Sequence, residues 1–157
     1  MLHLEARVKG HDRQLKELAR ESEAVQGLMT RPRIGQLTAS ALVATVGNAQ
    51  ALKNGREFAA WLVLRPRRYS SGGKMRLGSI TKRGDIYLRK LMILGARHVL
   101  RMVHRYPQSR LHRRAQGVQA RRGWRQRACV AVAAKTARIA WALLVGRPEP
   151  QLEPLAA

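Results

Sequence analysis

Ser70 and Ser71 stand side by side in RPRRYSSGGKMRLGSITKRGD, residues 65–85, bracketed by Arg65, Arg67, Arg68, Lys74 and Arg76. A hydroxyl set among cations can attack a phosphodiester, because guanidinium and ammonium groups neutralise the charge that develops on the phosphoryl oxygens. The same Ser-Ser-Gly-Gly composition also suits a basic loop that only holds a polyanion. Residue type alone leaves both readings open.

Other chemistries are easier to set aside. Two-metal phosphoryl transfer needs several converging carboxylates, and between the first 23 residues and the tail only Glu57 and Asp85 are available. A complete metal-dependent nuclease is therefore excluded for this chain, and no cofactor is expected in it. His3, His11, His98, His104 and His112 lack Cys or acidic companions at metal-ligand spacing. The segment SSGGKMRLGS lacks the glycine interval of a nucleotide-binding P-loop, and no strand is expected before it.

Charge points to the partner. Thirty-one Lys and Arg against nine Asp and Glu give a formal net charge of +22 over 157 residues, with a pI near 11.9. Five of the nine acids lie in the first 23 residues, and none falls between Asp85 and Glu149. Arginine dominates that acid-free region, and its planar fork suits phosphate and guanine better than a lysine point charge does. Nucleic acid is the expected partner.

An apolar fraction of 45% is enough for a core. The single cysteine, Cys129, excludes an internal disulfide and fits a reducing cytosol, where its plain role is that of a small core residue. The start of the chain lacks an apolar signal region, and the run ACVAVAAKTARIAWALLVG is interrupted by Lys135 and Arg138, so no membrane span is read.

The elements that must position the serines are helical. Leu4, Val8, His11, Leu15, Leu18, Ser22, Val25 and Met29 alternate by fours and threes, a heptad seam that needs a partner helix. The chain enters this helix directly, without a capping residue, which suggests the C-terminal part of something longer. Pro32 ends it, and a second helix with Ala39, Leu42, Val43 and Val46 on one face runs to Gly47 and Asn48. Helix, turn with Arg33 and Gly35, helix is a helix-hairpin-helix pattern, whose exposed backbone amides can dock a phosphate. An ordinary αα-hairpin would read the same way.

A short helix follows in KNGREFAAWLVL, with Asn54 as N-cap, Glu57 in capping-box position and Phe58, Trp61 and Leu62 toward the core. Residues 65–84 show no period and read as loop. Periodicity resumes near Asp85 through Ile86, Leu88, Leu91, Met92, Gly95, Val99 and Met102, with Arg97, Arg101 and Arg105 as a cationic stripe. Residues 106–123 read as a mobile Arg-rich connector. Trp124 opens a last helix to about Val145, with Arg127, Lys135 and Arg138 near one face. Nothing alternates with period two, and the predicted class is all-α.

This arrangement resembles the C-terminal half of transposases of the insertion sequence 110 and 1111 family, the DEDD, bridge-RNA-guided recombinases. The resemblance covers residues 1–146 and is most specific in SSGGKMRLGSITKRGDIYLRK and KTARIAWALL. It implies a coiled-coil arm (1–30) and a helical DNA-binding domain (31–146), while the Pro-rich composition of 147–157 reads as a disordered tail. It also implies that the serine before the glycine pair, Ser71, with Ser70 as its neighbour, links covalently to DNA. A RuvC-like half carrying four acidic metal ligands belongs to that family and is missing here, so a divalent metal is implied only for that half, and a truncated protein is expected.

Where the family has Pro-Gly-Ile-Gly, this chain has Pro32, Arg33, Ile34 and Gly35, and Val63 and Arg65 replace a commoner Gly and Val. The implied partners are DNA and a guide RNA, with a homo-oligomer formed through the coiled coil, in a bacterial cytoplasm at the nucleoid. The expected phosphate contacts are Arg33, Gly35, Arg65, Arg67, Arg68, Lys74, Arg76, Lys82, Arg83, Arg89, Arg97, Arg101, Lys135 and Arg138. The competing reading is a helix-hairpin-helix module that binds nucleic acid without catalysis.

Overall fold

The computed structural model describes residues 2–31, 33–65, 68–71, 74–77, 84–102, 105, 110–122 and 125–146. Among these, α1 (Leu2–Glu21), α2 (Glu23–Met29), α3 (Gln36–Val46), α4 (Gly55–Trp61), α5 (Ile86–Arg101), α6 (Arg110–Arg122) and α7 (Arg125–Leu144) form an all-α fold, as the periodicity predicts.

Caps explain several boundaries. Asn54 Oδ1 accepts from the amides of Arg56 and Glu57 at 2.9 and 3.0 Å, which starts α4. Asp85 Oδ1 accepts from the Leu88 amide at 2.8 Å and starts α5. Gly47, at φ 54, ends α3. The two side-chain caps satisfy backbone amides that a helix start leaves orphaned.

The core gathers on α7. This helix buries Ala128, Cys129, Val132, Ala133, Ala137, Ala140 and Trp141, and it packs against α2, α4, α5 and α6. Small side chains let those four neighbours approach closely. Their contributions include Leu28 from α2, Phe58 from α4, and Leu88 and Met92 from α5, all essentially without exposure. Trp141 Nε1 donates to the Ala49 carbonyl at 3.1 Å, tying α7 to the turn after α3.

Five expectations need correction. The N-terminal helix does not run unbroken to Pro32: Ser22 leaves helical geometry at φ −94, ψ 109 and caps a separate α2 by accepting from the Val25 amide. The stretch 106–123 is not all connector, because α6 occupies Arg110–Arg122, buries Ala115 and packs on α5 and α7. Residues 65–84 are not all loop. Arg68–Ser71 (β1) and Lys74–Leu77 (β2) pair as a two-stranded antiparallel ribbon. Trp61 stacks on Phe58 with centroids 5.9 Å apart but is 39% exposed, and Ile86 is 65% exposed, so neither is core. Trp124 and the tail 147–157 lie outside the described residues.

Candidate nucleic-acid interface

The serine ribbon grows from two roots held close together. One is the end of α4 with its following turn, Leu62 to Arg65, and the other is Gly84, just before the α5 cap. Gly84 sits at φ 93, and a Cβ there would lie 2.7 Å from the Trp61 carbonyl oxygen and 2.7 Å from Val63 Cγ2. Only glycine fits both the backbone angle and the space.

Within the ribbon, Ser71 pairs with Lys74, Ser70 with Met75, Tyr69 with Arg76 and Arg68 with Leu77. Two residues separate the paired ends, and the sequence there is Gly72-Gly73, a dipeptide suited to so short a connection. Strand positions alternate between faces, and directly paired residues share one. Residues 69, 71, 74 and 76 therefore belong to one face, and 68, 70, 75 and 77 to the other. Ser71 shares its face with Tyr69, Lys74 and Arg76, whereas Ser70 shares its face with Arg68, Met75 and Leu77.

The cations expected from sequence divide by position. Arg97, Arg101 and Arg105 are exposed, the first two on the outer face of α5, opposite Leu88, Met92, Ala96 and Val99. Arg65 is exposed at the first root of the ribbon, and Arg89 is half-buried on α5. Lys135 is half-buried on α7, and Arg138 is the exposed residue within 128–144 of that helix. Arg67, Lys82 and Arg83 lie outside the described residues, and Arg68, Lys74 and Arg76 are placed by the strand register given above.

The turn between α2 and α3 brings Arg33 against α5. Arg33 adopts φ 115, and a Cβ on Gly95 would lie 2.6 Å from its carbonyl oxygen. Gly35 is the N-cap of α3 at φ −81, ψ 171 and supplies no side-chain cap, leaving the first-turn amides to other partners. Val63, which the family resemblance also marks as a departure from glycine, adopts φ 55. Both departures thus fall at positive φ, a region costly for residues bearing a Cβ, most of all when branched.

Sequence reasoning missed a cleft of about 390 Å³ lined by Asn54, Gly55, Arg56, Arg138, Trp141 and Ala142. Its signal in the sequence was only partial. KTARIAWALL stood out as a motif, but nothing local joins residue 138 to residue 55. Gly55 makes the junction, since a Cβ there would lie 3.0 Å from the Arg138 carbonyl oxygen. Among the described residues no helix is long and apolar enough to cross a membrane.

Sequence comparison places the chain among known proteins. The chain is 47% identical over 148 residues to a "Probable family 20 transposase" of Pseudomonas aeruginosa, covering 90% of the chain and 41% of that protein. It is 37% identical to the "Transposase for insertion sequence element IS1111A" of Coxiella burnetii, covering 92% of the chain and 39% of that protein. It is 40% identical to the "Transposase for insertion sequence element IS1328" of Yersinia enterocolitica, covering 83% of the chain and 38% of that protein. The chain thus spans about two-fifths of the length of these relatives. Residues 25–116, which run from α2 through the ribbon into α6, match the sequence model of the transposase IS116/IS110/IS902 family, and the chain belongs to that family.

Proposed function

We propose that this chain is the DNA-binding and strand-exchange part of an insertion-sequence transposase, with Ser71 as its nucleophile. The observation that carries the reading is the ribbon register, in which Ser71 pairs directly with Lys74 on the face that also includes Arg76. By register that face groups Ser71 and Tyr69 with Lys74 and Arg76, while the other groups Ser70 with Arg68, Met75 and Leu77.

In the step so proposed, the Ser71 hydroxyl loses its proton, its Oγ bonds to phosphorus, and one ester oxygen of the strand leaves and takes a proton. Lys74 and Arg76 stabilise the charge that develops on the non-bridging oxygens. The phosphoserine link stores the strand for attack by a second hydroxyl. Arg97, Arg101 and Arg105, with the α3 N-terminus at Gly35, hold the flanking backbone by charge and amide contacts without reading its sequence. Any metal-dependent cleavage falls to carboxylates outside this chain.

A plasmid recombination assay tests the assignment, with the N-terminal portion of a longer relative fused to this chain. Ser71→Ala is expected to abolish recombinant product and Ser70→Ala to retain it. Undiminished product from Ser71→Ala leaves a binding module without catalysis as the correct reading.

A further inference from the structure

The cleft between α4 and α7 has a construction unlike the rest of the cationic surface. Its walls are mostly apolar, formed by Gly55, Trp141 and Ala142, and its rim carries two exposed arginines, Arg56 and Arg138. The depression is shallow and broadly open to solvent, about 390 Å³ in volume, so it would cover one face of a ligand rather than enclose it. Phosphate contact alone needs no apolar recess, since exposed arginines on a plain helix face would suffice. An apolar recess flanked by cations matches a planar base that carries its phosphate with it.

The local chemistry narrows the occupant. The amides of Arg56 and Glu57 are already engaged, both donating to Asn54 Oδ1. The charged contacts open to an anion at the rim are the two guanidinium groups. Glu57, the neighbouring acid, has its Oε2 engaged by the Lys53 amide at 2.9 Å. No acid follows on the chain from residue 86 to residue 148, so the α7 side of the cleft meets no carboxylate of its own helix. The Trp141 indole is held by its bond to the Ala49 carbonyl and by burial to 6% exposure, which gives the recess a fixed wall.

We propose that this cleft receives a single unpaired nucleotide, its base in the recess and its phosphate between Arg56 and Arg138. The proposal rests on the nucleic-acid-binding reading above and adds a preference for strands in which one base is free of its stack. Unpairing is needed because a base inside a duplex cannot leave it without losing stacking and pairing energy.

The test uses the full chain and three short labelled probes: a perfect duplex, the same duplex with one bulged nucleotide, and the same bulge without its base, each made as DNA and as RNA. Anisotropy titration is expected to show the intact bulge bound about tenfold tighter than the other two probes. The DNA and RNA arms identify which strand supplies the nucleotide.

Ala142→Leu, which fills the recess, is expected to erase that advantage while leaving duplex affinity in place. Arg56→Gln and Arg138→Gln, at exposed positions, are expected to weaken the bulge more than the duplex. Should Ala142→Leu fail to fold, the two arginine variants decide the matter. Equal affinity for all three probes overturns the cleft assignment and leaves the binding reading standing. A bulge advantage that survives Ala142→Leu in a folded protein, or both arginine variants, overturns it equally. Absence of binding to every probe overturns both.

Discussion

Val63 bears directly on Gly84: a Cβ at Gly84 would lie 2.7 Å from Val63 Cγ2, with the Trp61 carbonyl oxygen equally close. The two roots of the serine ribbon meet at this contact. Gly84→Ala would add both a strained φ and a clash with backbone, and the expected loss is about 2–3 kcal/mol in unfolding free energy. Urea denaturation measures it, and a variant as stable as the parent would mean the roots can separate without cost.

Arg33 holds φ 115 in a turn where the family resemblance leads one to expect glycine. Arg33→Gly is expected to stabilise the fold by about 1 kcal/mol through release of strain. Arg33→Ala keeps the Cβ and should gain nothing, which separates backbone strain from any effect of the guanidinium. Val63 differs, since it is only 8% exposed. Val63→Gly trades release of strain against loss of roughly 1.5–3 kcal/mol of burial and should come out net destabilising in the same denaturation series.

DNA affinity should fall steeply with salt, because each neutralised phosphate releases counterions. Arg97→Gln and Arg101→Gln, on the exposed face of α5, should each reduce the slope of log affinity against log salt by about one. Titrations across a salt series read this directly, and a flat affinity in the parent would contradict the electrostatic account.

Leu4, Val8 and Leu18 are 64%, 58% and 62% exposed along α1. A helix that leaves such a stripe in water draws little stability from its own chain. Sedimentation of the full chain is expected to show self-association that Leu4→Glu with Val8→Glu removes while circular dichroism of the remaining helices persists. A parent that stays monomeric at high concentration would assign the stripe to a different partner.

Legibility in the sequence tracked how local each determinant was. Asn54, Asp85 and Gly47 announced their helix ends because caps act within three or four residues. Ser22 was visible as a polar break in the heptad, yet its role as a cap depends on Val25 and Leu28 turning into the core, which no heptad count contains. The ribbon escaped notice because RYSS and KMRL are four residues each, too short for a period to emerge among arginines and glycines. In α6 the buried stripe rests on Ala115 and a half-buried Val118, too slight to stand out from the arginines around them. The cationic character of the chain, and with it the expectation of a polyanionic partner, was plain from composition. The cleft was not, since residues 55 and 138 meet only through the tertiary fold.

The central place of α7 has a consequence for the order of events at the ribosome. Its Trp141 bonds to the Ala49 carbonyl across 92 residues, and α2, α4, α5 and α6 all rest on it. Earlier helices emerge without the surface they are meant to cover, and contacts so distant in sequence close late and slowly. The domain therefore completes its core only when α7 leaves the tunnel, so a message broken before that point yields a basic chain whose α2, α4, α5 and α6 lack the surface they cover.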